Sequence, residues 1–244
     1  MKKCGLSIIG FGCFGQFAAK ILRNHFNVFV SDKLDKSKEA EEIGVNFVSL
    51  QEASSKNIVV LAVPISEFKN VLKEIKDYLK EGSLILDVCS VKVKPVKWMK
   101  EILPDYVEII GTHPLFGPQT GAQGIEGLTL VLCPVKTKNL NKVKSFLEEL
   151  GLKVIVTTPE EHDKQMANSQ SIVHFISEAL IKMGIKKQDL ELTSYSKLLE
   201  MLEIVKYDSP QLFRDIQKFN PYTKEVREKF IDLLLKINEK QKNI

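Results

Sequence analysis

The stretch IIGFGCFG, residues 8–15, decides the fold of this chain. It begins with apolar residues that are typical of a buried strand, and glycines follow as Gly10, Gly12 and Gly15. A helical pattern then continues to about His25, so the glycines lie between a predicted strand and a predicted helix. Glycine permits the tight turn and the close helix–strand approach that such a junction needs.

Unbroken apolar runs recur through the first part of the chain and alternate with helical patterns. Such runs are typical of parallel strands, because both faces of a parallel sheet are covered. The strand–helix–strand order predicts a doubly wound, mostly parallel α/β sheet of the Rossmann type. The predicted strands are residues 6–10, 27–32, 46–49, 57–64, 83–89, 107–112, 128–134 and 153–159.

The pattern changes at Thr158, which begins the helix-start signature TPEE. Only helical periodicity follows. We therefore predict a Rossmann domain over residues 1–157 and an all-helical domain over residues 158–244. The second domain has few ways to close a core alone, so we expect it to pack on a partner chain. Its predicted helices are residues 159–183, 188–206, 209–219 and 222–241.

Composition excludes several classes of protein. The chain is 44% hydrophobic and 27% charged, which is ordinary for a globular protein. No apolar run approaches the ~20 residues that a membrane helix needs. Without such a run, we expect no membrane partner. The net charge of +4 comes from interspersed signs, so we expect no nucleic-acid partner. The four cysteines are scattered without metal-ligand spacing, which favours a cytoplasmic protein without a metal site.

The glycine turn predicts a dinucleotide site, because it lets a pyrophosphate approach the free N–H groups of the helix. Phe14 within the turn is expected to line this site, as are Val63 and Pro64 after the fourth strand. The alternative is a glycine-rich turn that binds no ligand.

The second predicted strand ends at Asp32, 22 residues after Gly10. A carboxylate there bonds both ribose hydroxyls and repels a 2′-phosphate, which favours NAD. Lys33 and Lys36 point the other way, since either could reach a 2′-phosphate. NADP therefore stays possible.

Two polar segments follow neighbouring strands, where ligands bind in open α/β sheets. DVCSVK, residues 87–92, offers Ser90 and Lys92, although a strand-end turn would also explain it. GTHPLFGPQTG, residues 111–121, offers His113, with a rigid surface loop as the alternative. The roles of its Gln119 and Thr120 remain open.

A third polar set lies in the helical domain, within EEHDKQMANSQSIVHF at residues 160–175. At about 100° per residue, Asp163, Gln170 and His174 fall on one face of a helix. This face is either a binding surface or simply solvated. His162 points elsewhere on the same helix, and its role stays open.

These motifs resemble the arogenate/prephenate dehydrogenases of tyrosine biosynthesis, closest to the plant-like arogenate branch. The resemblance is carried by IIGFGCFGQF, DVCSVK, GTHPLFGPQTG and EEHDKQMANSQSIVH, from about Leu6 to about Leu212. It implies a Rossmann domain with a helical dimerisation domain, and hence a homodimer. It also implies oxidative decarboxylation: hydride passes from C4 of a cyclohexadienol to NAD(P), CO2 departs, and an aromatic ring forms without a metal.

The resemblance also assigns roles to residues. His113 takes the proton of the substrate 4-hydroxyl, and Ser90 shares that hydrogen bond. Gln170 and His174 hold the substrate's side chain or ring carboxylate, and Lys92 is expected to bind substrate as well.

The sequence of this chain differs from many prephenate-using members of that family at one position. Those relatives carry an arginine where this chain has Ile204. The plant-like branch lacks the arginine too and has an acidic residue that matches Asp208, which would favour the amino group of arogenate. The alternative is that Asp208 only caps the following helix.

Two other functions stay open at this point. The fold could serve another two-domain β-hydroxyacid or imino-acid dehydrogenase. It could also serve a dinucleotide-binding protein without catalysis.

Overall fold

In a computed structural model of this chain, which describes residues 3–242, an eight-stranded sheet forms the centre of the first part. Its strand order is β3-β2-β1-β4-β5-β6-β7-β8. The strands are β1 Gly5–Ile9, β2 Asn27–Ser31, β3 Asn46–Phe47, β4 Ile58–Leu61, β5 Leu84–Asp87, β6 Glu108–Pro114, β7 Thr129–Lys136 and β8 Lys153–Val156.

All neighbouring strands run parallel except β6 and β7, which are antiparallel. The predicted Rossmann-type, mostly parallel sheet is therefore confirmed. The unbroken apolar runs correspond to strands that are covered on both faces, as expected. Four of the five residues of β1 and three of the four residues of β4 are buried.

Among the described residues of this first unit, six α-helices accompany the strands, and a short 3-10 helix, Lys76–Tyr78, follows the fourth of them. Phe68, Leu72 and Ile75 of the fourth helix are buried at the spacing of an amphipathic helix. The helices are α1 Cys13–Leu22, α2 Ser37–Ile43, α3 Leu50–Ser54, α4 Ile65–Ile75, α5 Val93–Ile102 and α6 Leu140–Glu149.

The chain divides into two compact units between Pro159 and Glu160. From this point the described residues form helices, and the longest connection between them is residues 183–192. The helices are α7 Pro159–Met166, α8 Ile172–Lys182, α9 Thr193–Val205, α10 Pro210–Phe219 and α11 Thr223–Gln241.

Three local expectations are wrong. The helix predicted over 188–206 begins only at Thr193, and residues 188–192 before it are not helical. The helix predicted over 159–183 is interrupted, because Ala167–Ser171 form a π-helical turn between α7 and α8. The strand predicted to end at residue 112 continues to Pro114, so His113 lies inside β6 and not in the loop after it. Antiparallel pairing with β7 causes this extension, since His113 pairs with Val131.

Within residues 3–242, no helix has both the length and the apolar character required to cross a bilayer.

Candidate active site

The glycine turn joins β1 to α1 with two close approaches. Gly10 has φ 98°, in the left-handed region, and its N–H donates to the Ser31 carbonyl at 2.8 Å. A β-carbon on Gly15 would lie 2.1 Å from the Gly10 carbonyl oxygen, whereas one on Gly12 would meet nothing within 4 Å. Gly10 and Gly15 therefore shape the turn, and Gly12 leaves open space beside it.

The N-terminus of α1 is free to receive an anion. Its N-cap is Gly12, which supplies no side-chain hydrogen bond, and its first turn holds no acidic residue. The leading N–H groups of a helix need partners and favour negative charge. Phe14 flanks this turn with its ring 5.9 Å from that of Phe17. A dinucleotide pyrophosphate fits this donor set.

Asp32 follows β2 and bonds to the glycine turn. One carboxylate oxygen accepts from the Phe11 N–H at 2.7 Å, and the other accepts from the Leu34 N–H at 3.0 Å. Of the two neighbouring lysines, Lys36 pairs with Glu39 at 2.8 Å, and this hydrogen bond raises the pKa of Lys36. Lys33 is exposed.

The other candidate residues of this unit lie at or just after the carboxyl ends of adjacent strands. Val63 and Pro64 lie between β4 and α4, Ser90 follows β5, and His113 lies near the end of β6. Because β1, β4, β5 and β6 are parallel neighbours, these residues share one edge of the sheet with the glycine turn. Ser90 is half-buried and His113 is 3% exposed.

The charged group of Lys92 is not exposed at this edge of the sheet. The side chain is fully buried, and its ammonium group donates to the Asp87 carboxylate and to the Thr112 carbonyl. This enclosure argues against the expected direct contact with substrate. Sequence reasoning missed Asp87, although an acidic residue at the end of the apolar run SLILD was a usable signal.

The segment after β6 is held by its own contacts. The Thr120 hydroxyl accepts from the Gly117 N–H at 2.9 Å and donates to the Gly117 carbonyl at 3.2 Å. A β-carbon on Gly121 would lie 2.5 Å from the Phe17 ring. Thr120 therefore closes this turn, while Gln119 is exposed.

In the second unit, His174 and Asp208 meet. His174 Nε2 lies 3.5 Å from an Asp208 carboxylate oxygen, and His174 is 6% exposed. Burial lowers the pKa of His174 and raises the pKa of Asp208, so each group is pushed towards its neutral form. Asp208 does not cap α10, because the Ser209 hydroxyl accepts from the Leu212 N–H there.

Four buried side-chain atoms of this helical region have no hydrogen-bond partner among the described residues: Gln170 Oε1, His174 Nδ1, Ser177 Oγ and Thr223 Oγ1. Two of them, on Gln170 and His174, belong to the predicted polar face. Buried polar atoms are normally satisfied, so such a pair marks a place where a ligand can supply donors. Gln170 lies in the π-helical turn, a feature that often occurs at functional sites.

Asp163 has a different environment from the other two members of the predicted polar face. Its carboxylate lies 2.8 Å from His162 Nδ1, and its carbonyl accepts from the Asn220 side chain at 2.8 Å. The expected common face assumed a constant 100° per residue. The π-helical turn lies between Asp163 and His174 and breaks that assumption.

The π-helical turn is fixed by α10. The Gln217 amide donates to both the carbonyl and the hydroxyl of Ser171, at 2.9 and 3.0 Å. Arg227 in turn donates to the side-chain amide oxygen of Gln217 at 2.9 Å. These contacts give the segment that carries Gln170 a defined support within the helical unit.

Comparisons with known proteins agree with this architecture. Residues 17–156 match the family model "Prephenate dehydrogenase, nucleotide-binding domain", and residues 179–242 match "TYRAAT1-like, C-terminal domain". A probable arogenate/prephenate dehydrogenase of Methanocaldococcus jannaschii is 35% identical over all of this chain and 58% of its own length. Arogenate dehydrogenase 1, chloroplastic, of Arabidopsis thaliana is 30% identical over 92% of this chain and 37% of its own length.

A solved structure is also similar: prephenate dehydrogenase from Aquifex aeolicus in complex with hydroxyphenyl propionate and NAD+. It superposes with a TM-score of 0.77 at 25% identity, over 98% of this chain and 91% of that chain. This chain spans a little over half the length of the archaeal relative and about a third of the plant relative.

Proposed function

This chain belongs to the prephenate dehydrogenase family, and we propose that it oxidatively decarboxylates a cyclohexadienyl substrate, arogenate in preference to prephenate, using NAD. One observation carries the proposal. Ser90 follows the end of β5 and His113 is the penultimate residue of its parallel neighbour β6, at the same sheet edge as the glycine turn. A hydroxyl and an imidazole at this edge suit a reaction that removes a proton beside a bound dinucleotide.

We assign the dinucleotide to the glycine turn. Gly10, Gly12 and Gly15 with the first N–H groups of α1 would hold the pyrophosphate, and Phe14, Val63 and Pro64 would line the site. Asp32 would bond the ribose hydroxyls, which favours NAD over NADP. When bound, NAD accepts a hydride.

His113 acts as the general base in this proposal. It takes the proton of the substrate 4-hydroxyl as C4 is oxidised, and Ser90 donates or accepts a hydrogen bond at the same oxygen. The ring carboxylate departs as CO2, and its bonding electrons complete the aromatic ring. Aromatisation makes the step favourable, so this chemistry requires no metal.

Recognition of the substrate side chain is assigned to the helical unit. Asp208 supplies a carboxylate whose side chain is 36% exposed, while His174 Nδ1 and Gln170 Oε1 are buried polar atoms without a partner among the described residues. An ammonium group carries positive charge and three N–H donors, so it suits this set better than a keto group. This chemistry supports arogenate as the preferred substrate.

We further propose a cytoplasmic homodimer. Consecutive leucines on α11, Leu233, Leu234 and Leu235, are each about half-exposed, and Ile237 is 56% exposed. An apolar helix surface of this kind suits a second copy of the chain. The four free cysteines fit a reducing compartment. Light scattering tests the assembly, and a monomeric mass would overturn it.

A two-by-two assay tests the activity, with arogenate or prephenate as substrate and NAD or NADP as cofactor. We expect turnover with arogenate and NAD to be the fastest of the four. Turnover of neither substrate, with NAD binding retained, would favour a non-catalytic dinucleotide-binding protein. Turnover of a β-hydroxyacid instead would favour the alternative dehydrogenase class.

The base is tested with His113→Asn, which should lower kcat about 10²–10⁴-fold and leave NAD binding intact. His25→Asn is the matched control, because His25 is an exposed residue that packs against Phe146. Equal turnover of the two variants would rule out His113 as the base.

A further inference from the structure

We propose that Asp87 and Lys92 form a buried positioning pair that fixes the backbone next to His113 and the turn that carries Ser90. This inference rests on the proposed function and names what holds its two central residues. Both side chains are 0% exposed and form an ion pair. Neither is assigned to substrate.

Beyond the last residue of β5, contacts of Asp87 and Lys92 take the place of backbone pairing between β5 and β6. The last register pair of β5 and β6 joins Asp87 to Gly111, while β6 continues through Thr112. One Asp87 carboxylate oxygen accepts from the Thr112 N–H at 3.2 Å, and the Lys92 ammonium donates to the Thr112 carbonyl. The Thr112 hydroxyl donates to the Asp87 carbonyl. The residue before His113 is therefore held through its N–H, its carbonyl and its side chain.

The same pair holds the turn on the other side. The second Asp87 carboxylate oxygen accepts from the Cys89 N–H at 3.0 Å, one residue before Ser90. Lys92 is the N-cap residue of α5, and its carbonyl accepts from the Val96 N–H at 3.0 Å. Both ends of the turn are thus joined to one ion pair.

Positioning and substrate binding by Lys92 have different kinetic signatures. A buried ion pair has its charges neutralised internally, so it offers little attraction to a substrate. Its loss would displace His113 and Ser90 and lower kcat, because small misplacements can cost about 10²-fold in rate. Loss of a direct contact to substrate would instead raise KM.

The test uses the double variant Asp87→Asn with Lys92→Met, which removes both charges together. A single substitution would leave the other partner as an unpaired buried charge. Lys144→Met with Glu148→Gln is the matched control, a surface pair on α6. We expect kcat of the first double variant to fall about 10–100-fold, with KM and the NAD dissociation constant nearly unchanged. Lys92→Arg keeps the charge and serves if the double variant does not fold; a smaller fall in kcat is expected.

Nitrogen-15 NMR of labelled histidines gives a readout that does not need turnover. The His113 imidazole signal, identified by its loss in His113→Asn, should move in the double variant and stay in place in the control. An unmoved signal with unchanged kcat would mean that Asp87 and Lys92 only stabilise the fold. A raised KM at constant kcat would assign Lys92 to substrate. If the wild type turns over neither substrate, the proposed function fails, and the NMR comparison still tests the pair.

Discussion

A β-carbon placed on Gly15 would lie 2.1 Å from the carbonyl oxygen of Gly10, a separation that no real pair of these atoms tolerates. The start of α1 is therefore pressed against the turn that follows β1. Gly12 lies between them in sequence, yet a β-carbon there meets no atom within 4 Å. The three glycines thus serve two distinct purposes.

Alanine substitutions should separate these purposes. Gly15→Ala should lower both stability and NAD affinity, by about 1–3 kcal/mol of unfolding free energy for the overpacked contact. Gly12→Ala should leave thermal unfolding nearly unchanged and weaken NAD binding, because its methyl group enters the space assigned to the pyrophosphate. Calorimetry of unfolding and of NAD binding measures both. Equal NAD affinity of Gly12→Ala and wild type would place the cofactor elsewhere.

Asp32 should govern the choice of cofactor. Asp32→Asn keeps an oxygen that can accept from the Phe11 N–H but removes the charge that repels a 2′-phosphate. We expect the ratio of kcat/KM for NAD to that for NADP to fall at least about tenfold, the equivalent of about 1.4 kcal/mol. Lys36→Gln is the control, since Lys36 is already paired with Glu39. An unchanged ratio for Asp32→Asn would contradict the assignment.

Asp208 should lower the stability of the folded protein while it contributes to recognition of the substrate. Burial raises its pKa above the ordinary 3.8, so ionisation costs more in the folded state than in the unfolded state. Asp208→Asn should therefore raise the melting temperature at neutral pH. This advantage should shrink as the pH falls through the raised pKa towards 3.8, where the wild-type carboxyl is also neutral. The same variant should raise KM for arogenate more than for prephenate, and an equal change in both would argue against an ammonium partner.

His174 should make the stability of the protein depend on pH in the direction opposite to that of Asp208. Burial lowers its pKa below the ordinary 6.5, so the unfolded chain takes up a proton before the folded protein does. Wild-type stability should decrease as the pH falls below 6.5, down to the lowered pKa. His174→Gln should lack this component in melting curves from pH 7.5 to about 5.5, chosen to bracket an ordinary histidine. Parallel curves for the two proteins would show that His174 is not desolvated.

Local sequence patterns predicted much of the framework because they report local physics. Unbroken apolar runs identified strands that are covered on both faces, and the glycine spacing identified the β1–α1 turn. The same patterns located His113 only approximately. Its strand is longer than expected because antiparallel pairing with Val131 extends it, and that pairing joins residues from separate strands.

By itself, the sequence determined the class of sheet, the glycine turn and the placement of Ser90 and His113 near the ends of successive strands. Only the tertiary structure decided how polar groups are paired. It enclosed Lys92 with Asp87, brought Asp208 within 3.5 Å of His174 and inserted a π-helical turn beside Gln170. Periodicity records which face of an element is buried. The partner of a buried charge depends on register and packing between distant segments, which no local pattern contains.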